Sequence, residues 1–135
     1  MQTFLPYPDF AQSAKCLDRL RLGKQRLECW QIYRTIIGES QGWRNHPAIR
    51  MWRGYEASLL EYGIEVCWEW RRRGYKDTIV DRLYAVRLGD SHDSPDWLGG
   101  KIHSTHRAAL LYKDPVWYSK FGWTETPEIN YWWPK

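Results

Sequence analysis

The chain has 135 residues, of which 43% are hydrophobic and 27% are charged, as in an ordinary globular domain. This length predicts one domain spanning residues 1–135. We find no apolar run near the roughly 18 residues that cross a bilayer, and no signal-peptide pattern at the start. Three cysteines at no metal-ligand spacing favour free thiols over a disulfide framework. We therefore expect a cytoplasmic protein that does not associate with membranes.

The whole chain has a formal net charge of +4, and its positive charge is concentrated in one part. Between residues 15 and 53, nine Lys or Arg residues outnumber three acids, whereas the remainder carries a net charge of −2. A basic block beside a mildly acidic remainder is typical of a surface that faces phosphates. The alternative is a solvated helix face.

The first predicted helix is capped by Asp9 and runs to about Ile37, before Gly38. Its apolar residues keep mostly three- and four-residue spacing. Gly23 interrupts this pattern and costs about 1 kcal/mol relative to alanine. A glycine at such a position indicates a close approach or a local irregularity.

A loop over residues 39–46 precedes the second predicted helix. Asn45 or His46 caps that helix, and Pro47 occupies its first position. An apolar stripe that includes Trp52 continues to about Arg73, where Gly74 ends the helix. A shorter helix is predicted over residues 78–86.

The rest of the chain predicts further short helices. Residues 88–100 are rich in Gly, Asp, Ser and Pro, which predicts a surface connection. Helical spacing returns over residues 103–113. Asp114 and Pro115 then open a short aromatic turn to Phe121, and an extended tail follows from Thr124. Because no alternating strand pattern occurs, we predict an all-α fold.

The first candidate DNA-binding group lies in the first helix and comprises four cations: Arg19, Arg21, Lys24 and Arg26. Arg19 and Arg26 share a helix face with Lys24 nearby, whereas Arg21 points elsewhere unless Gly23 distorts the helix. Such a face contacts successive phosphates and positions a protein on DNA without reading its sequence.

The second candidate group joins an aromatic ring to hydrogen-bond donors at a helix N-terminus: Trp43, Arg44, Asn45 and His46. Trp43 either stacks on a base, worth about 1–3 kcal/mol, or anchors its loop in the core. His103 and His106 share a helix face, but no third metal ligand is evident nearby. We therefore expect hydrogen-bonded or DNA-facing histidines and no metal.

Four segments, in this order, resemble the pyrimidine-dimer DNA glycosylase/endonuclease V family, in particular its small bacterial and phage-borne members. They are the helix from Cys16 to Trp30, the Arg44–Pro47 helix opening, the Glu69–Tyr75 helix end and the aromatic Pro115–Gly122 segment. The resemblance covers nearly the whole chain. It implies a compact all-helical monomer without cofactor, which acts on duplex DNA containing a damaged or modified pyrimidine. The expected compartment is the nucleoid or the cytoplasm of a phage-infected host.

The resemblance also implies the chemistry. The family's nucleophile is the α-amino group of the chain, which attacks C1′, expels the base and forms an imine; β-elimination can follow. An α-amino group with an ordinary pKa of about 7.7–8.0 is partly neutral at neutral pH, whereas a lysine near 10.4 is almost wholly protonated. Because Gln2 is bulky, we expect Met1 to be retained and its amine to be the nucleophile.

One departure from the family affects catalysis. The family's Arg-Glu pair aligns with Arg19 and Leu20, so the carboxylate that assists the lyase chemistry is missing. Asp18 or Glu28 could replace it if Gly23 bends the helix. In the resulting hypothesis, Arg44, Asn45 and His46 line the kinked DNA. The residues expected to flank the opened duplex are Trp117, Tyr118 and Lys120.

The leading hypothesis is thus a DNA glycosylase with abasic-site lyase activity. One alternative is a glycosylase for a different modified base. Another is a non-catalytic DNA-binding module on the same scaffold, which Leu20 in place of a carboxylate favours. A third is an RNA-directed or protein-interaction domain, which rests on aromatic richness alone.

Overall fold

The computed structural model describes residues 1–87 and 92–135, and within them it contains α-helices, one 3₁₀ turn and no strand. The predicted all-α fold is therefore confirmed for the described residues. The helices are α1 (Phe10–Cys16), α2 (Arg19–Ile36), α3 (Pro47–Arg50), α4 (Glu56–Arg72), α5 (Ile79–Val86), α6 (Ile102–Lys113) and α7 (Pro115–Tyr118), and the 3₁₀ turn covers Ser119–Phe121.

The first predicted helix is in fact two helices. The backbone is extended at Leu17 and Asp18, and the Asp18 carboxylate caps α2 by accepting from the amide of Arg21 at 3.4 Å. Gly23 does not interrupt α2. It is required for packing, because a Cβ at this position would lie 2.9 Å from the Trp70 ring. Gly23 therefore marks a close approach, which was one of the two alternatives that the sequence left open.

The second predicted helix is also divided. α3 ends in a turn that passes through Gly54, where φ is +84°, and α4 begins two residues later. His46 is the residue that caps α3, because its Nδ1 accepts from the amide of Ala48 at 3.0 Å. Gly74, with φ of +94°, follows the end of α4 as predicted. Trp52, predicted to lie on the helix stripe, instead lies in the intervening turn and is fully buried.

α4 is the central helix and packs against α1, α2 and α5. Gly63 permits this close packing, since a Cβ there would lie 3.0 Å from Leu83 on α5 and 3.1 Å from Cys29 on α2. The three cysteines are buried free thiols, as expected. Large side chains such as Trp52 and Tyr62 fill the core between the helices.

The predicted surface connection over residues 88–100 needs a correction. Trp97 is buried, and its ring meets that of Trp52 edge-on at 5.0 Å. Asp93 accepts from the amide of Ala57 at 3.1 Å at the start of α4. Residues 88–91 lie outside the described residues.

The C-terminal elements match their predictions. The Asp114 carboxylate caps α7 by accepting from the amide of Trp117 at 3.1 Å. Residues 124–135, the C-terminal segment, form neither helix nor strand and contact α6, where the Glu128 amide donates to the Ala108 carbonyl at 3.2 Å. In the ranges 1–87 and 92–135, every helix is too short or too polar to cross a bilayer.

Candidate active site at the N-terminal segment

Residues 2–5, the N-terminal segment, form neither helix nor strand and are held by side chains. The amide of Gln2 donates to Oε2 of Glu28 at 2.9 Å. The Gln25 side chain binds the segment twice: Oε1 accepts from the amide of Phe4 at 2.7 Å, and Nε2 donates to the carbonyl of Gln2 at 2.8 Å. α2 thus fixes the backbone on both sides of Thr3.

Two histidines of α6 hold the other end of this segment. The amide of Leu5 donates to Nδ1 of His106 at 2.9 Å, so the proton of that ring lies on Nε2. His103 accepts from the amide of Gly99 through Nε2 at 2.8 Å and donates through Nδ1 to the Leu5 carbonyl at 2.7 Å. Both rings are therefore neutral and have assigned tautomers.

The core completes this arrangement. The hydroxyl of Tyr62 donates to the carbonyl of Phe4, and the indole of Trp52 donates to the Thr3 hydroxyl at 3.0 Å. Thr3, Phe4 and Leu5 are buried, so unpaired polar groups in this segment would be costly. The backbone that precedes α1 is consequently fixed in one conformation next to α2.

The α-amino group of Met1 precedes the amide of Gln2, which donates to Glu28. Met1 is half-buried. The pKa of His46 is lowered, first by burial and then by the positive charge of the Met1 ammonium, while Glu28 acts in the opposite direction. An amine, an imidazole and a carboxylate therefore form one electrostatic neighbourhood.

A cleft of about 320 Å³ adjoins this neighbourhood. Its wall contains the buried carboxylate of Glu28, three cations and the exposed side chain of Leu20. The lining residues are Phe4, Leu20, Arg21, Lys24, Gln25, Glu28 and Lys113. Lys24 Nζ lies 3.6 Å from Oε1 of Glu28, and 74% of the lysine side chain is exposed. The cleft can therefore accept an anionic ligand while it keeps one carboxylate close to the chain's amine.

The two carboxylates considered as catalytic differ in position. Glu28 faces the N-terminal segment, and α2 continues as a helix through Gly23. Asp18 caps α2, pairs with Arg21 at 3.1 Å and accepts from the Tyr118 hydroxyl. Burial alone would raise the pKa of Asp18, but hydrogen bonds from Tyr118 and Arg21 lower it. Asp18 thus occupies a structural position, whereas Glu28 occupies the site.

The four predicted phosphate-binding cations of α2 do not form one group. Arg21 and Lys24 line the cleft, and Arg19 is exposed at the start of α2. Arg26 pairs with the buried Asp77, and its guanidinium lies 4.5 Å from the Trp70 ring centroid. Because 15% of the Arg26 side chain is exposed, its geometry favours an internal ion pair over a phosphate contact.

The predicted binding group at residues 43–46, the Trp43 turn, lies on the surface beside the site. Trp43 is 69% exposed, so it does not anchor its loop in the core. Its ring meets His46 edge-on at 5.9 Å. Arg44 and Asn45 are exposed, which leaves both side chains accessible to a ligand.

The predicted group in α7 and the 3₁₀ turn lies at the junction of α1 and α2. Trp117 donates through its indole to the Cys16 carbonyl at 2.8 Å, and Lys120 Nζ lies 3.3 Å from the Trp117 ring centroid. Tyr118 is fully buried. A DNA contact by Tyr118 would therefore require the segment to move, whereas Trp117 and Lys120 are accessible.

Sequence reasoning missed the residues that hold the N-terminal segment. Gln25 is one of many polar residues in a helix, and no spacing distinguishes it. His103 and His106 were recognised as a pair on one face, and the hydrogen-bonded alternative is confirmed. Within the two described ranges, no three His, Cys, Asp or Glu side chains converge as metal ligands would.

Comparison with known proteins identifies a family. A family model described as pyrimidine dimer DNA glycosylase matches residues 1–83, which is more than half of the chain. The matched part contains Glu28, Gln25 and the Trp43 turn, while α6 and the C-terminal segment lie beyond it. No curated protein and no solved structure matches this chain.

Proposed function

Because the chain belongs to the pyrimidine dimer DNA glycosylase family, we propose that it removes damaged or modified pyrimidines from duplex DNA through the α-amino group of Met1. The observation that carries the proposal is the position of Glu28. Its buried carboxylate accepts from the amide of Gln2, one residue from the amine, at the wall of a basic cleft.

The first step joins the amine to the sugar. The neutral nitrogen of Met1 attacks C1′ as the bond from C1′ to the base nitrogen breaks, and the base leaves with the electron pair and takes up a proton. The attacking nitrogen passes one proton to the departing base. The electron pair of the bond from C1′ to O4′ then goes to O4′, which takes up a proton from water, and a protonated imine remains. The step needs neither an oxidant nor a reductant.

The second step breaks the strand, and Glu28 supplies the base. Its carboxylate removes a proton from C2′ of the imine, and the 3′ phosphate departs in a β-elimination. The flanking phosphates bind to three cations of the cleft wall: Arg21 and Lys24 of α2, and Lys113 of α6. In this arrangement Glu28 takes the role of the family's carboxylate, whose position is occupied by Leu20 in this chain.

Borohydride reduction tests the proposal, because it converts the imine into a stable covalent adduct. We expect an adduct with abasic-site duplex that maps to Met1 and is lost when the amine is acetylated or the chain is extended at its N-terminus. The same adduct is expected with dimer-containing duplex. Absence of an adduct with both substrates contradicts the chemistry, and salt-sensitive DNA binding without an adduct would indicate a non-catalytic binding module.

The substitution Glu28→Gln separates the two steps. Glutamine keeps an oxygen that accepts from the amide of Gln2 but cannot remove a proton. We expect the adduct to persist while strand cleavage slows by a factor of about 100 or more. Cleavage at the wild-type rate would remove Glu28 from the second step and leave the first step intact.

A further inference from the structure

Trp43 occupies an unusual conformation for a large apolar residue. Its φ is +64°, in the left-handed region, where a side chain with a Cβ is strained. The turn enforces this conformation, because the carbonyl of Trp43 accepts from the amide of His46 at 2.8 Å and Arg53 donates to the Arg44 carbonyl at 2.7 Å. Such strain concentrates at functional positions. The result is an indole displayed in solvent on a fixed turn.

The indole belongs to a row of aromatic rings that reaches the C-terminal segment. The rings of Trp43 and His46 are 5.9 Å apart, and those of His46 and Trp133 are 6.0 Å apart. Tyr131 continues the row at 5.7 Å from Trp133. Tyr131 also meets the ring of His106 at 5.8 Å, and His106 binds the amide of Leu5, so the row reaches the N-terminal segment that carries the proposed nucleophile.

Charge around the row indicates what it binds. Arg44, Arg50 and Arg53 are exposed, and residues 43–53 contain no acidic side chain. An exposed aromatic ring among cations is the arrangement by which proteins hold unpaired nucleotides: the cations bind phosphates and the ring stacks on a base. A protein partner with an apolar surface would leave these cations unpaired.

We propose that Trp43, supported by His46 and Trp133, is a stacking site for a nucleobase displaced from the base pair at the damaged position. The inference rests on the proposed function, since a base is displaced there when the duplex opens to expose C1′ to the amine of Met1. Stacking on the indole holds the duplex open while the amine reacts.

The site is tested by measuring DNA binding while the indole and the base are removed separately and together. The probes are three duplexes with a stable tetrahydrofuran abasic analogue in the damaged strand, in the opposite strand at the same position, or in both. We expect Trp43→Ala to weaken binding about tenfold for at least one singly abasic duplex and hardly at all for the doubly abasic duplex. An equal loss in all three duplexes, or no loss in any, overturns the stacking site.

Three further variants separate stacking from structural support. Trp43→Phe keeps a ring and should retain most of the base-dependent binding. Trp43→Gly should lose as much binding as Trp43→Ala while its thermal midpoint stays at or above that of wild type, because glycine accepts a positive φ. Trp68→Ala, which removes an exposed indole on α4, is the matched control and should show no base-dependent loss.

Borohydride trapping by the wild-type protein distinguishes this site from the chemistry. An adduct at Met1 without base-dependent binding overturns the stacking site alone. Base-dependent binding without an adduct overturns the amine chemistry alone.

Discussion

The N-terminal and C-terminal segments both lack regular secondary structure and both lie beside the candidate active site, but they are held differently. In the N-terminal segment, side chains of α2, α4 and α6 bind the backbone of Gln2, Phe4 and Leu5. The C-terminal segment is half-buried or exposed, and its backbone donates to α6 at Glu128 and Trp132. The N-terminal segment is thus part of the core, whereas the C-terminal segment packs on the surface of α6.

This difference matches what each end is proposed to do. A nucleophile must be held within a short distance of its target, and a fixed backbone supplies that position before DNA binds. The C-terminal segment contributes rings beside His46 and lies outside the part matched by the family model. Arg107 joins the two ends, since it donates to the Pro6 carbonyl at 2.7 Å and to Glu125 at 2.9 Å.

The largest expected effect on stability comes from Gln25→Ala. This change leaves the amide of Phe4 and the carbonyl of Gln2 without their partners in a largely buried environment. We expect the free energy of unfolding to fall by about 2–4 kcal/mol, measured by urea denaturation. Imine trapping should slow as well, because the amine loses its fixed support.

Gln31→Ala is the matched control for this prediction. Gln31 is exposed on the same helix, so the same substitution there should leave stability and trapping nearly unchanged. Equal stability of Gln25→Ala and wild type would show that the side-chain bonds do not hold the N-terminal segment.

The next effect is a loss of stability in acid that depends on His106. Burial, with a smaller contribution from His103, lowers the pKa of His106 to about 3. The unfolded chain takes up a proton below an ordinary histidine pKa of about 6.5, whereas the folded ring stays neutral, so stability falls as the pH drops from 6.5 towards 3. Between pH 7 and pH 5, His106 should account for a loss of about 2 kcal/mol.

His106→Asn tests the source of this loss. The asparagine oxygen can accept from the amide of Leu5 but does not titrate, so the decrease between pH 7 and pH 5 should shrink by about 2 kcal/mol. The measurement is urea denaturation at both pH values. An unchanged decrease would assign the acid sensitivity to other groups, among which His103 also has a lowered pKa, chiefly through burial.

Much of the fold follows from local rules that the sequence displays. Asp9, His46 and Asp114 cap helices, and Gly74 follows the end of one, as their positions predict. The breaks at Leu17 and near Gly54 were not predicted, because the apolar spacing continues across them. The break at Leu17 also involves a tertiary contact, the bond from Tyr118 to Asp18, which no local pattern contains.

The candidate site was predictable to a smaller extent. Glu28 was considered as a replacement for the carboxylate missing at Leu20, but its partner, the amide of Gln2, lies 26 positions away. Arg26 has the spacing of a phosphate contact yet pairs with Asp77. Spacing on one helix shows which residues share a face, whereas partners distant in sequence decide what that face meets.

The smallest expected effect comes from the C-terminal segment. Glu125→Gln keeps a hydrogen-bond acceptor for Arg107 but removes the charge of an ion pair whose side chains are 23% and 19% exposed. Burial would raise the pKa of Glu125, but the hydrogen bond from Arg107 lowers it, so the charged form stabilises the fold at neutral pH. We expect urea denaturation to show a loss of at most about 1 kcal/mol, with Glu128→Gln, an exposed neighbour, as the control. If Glu125→Gln proved as damaging as Gln25→Ala, the two ends would be equally integral to the core.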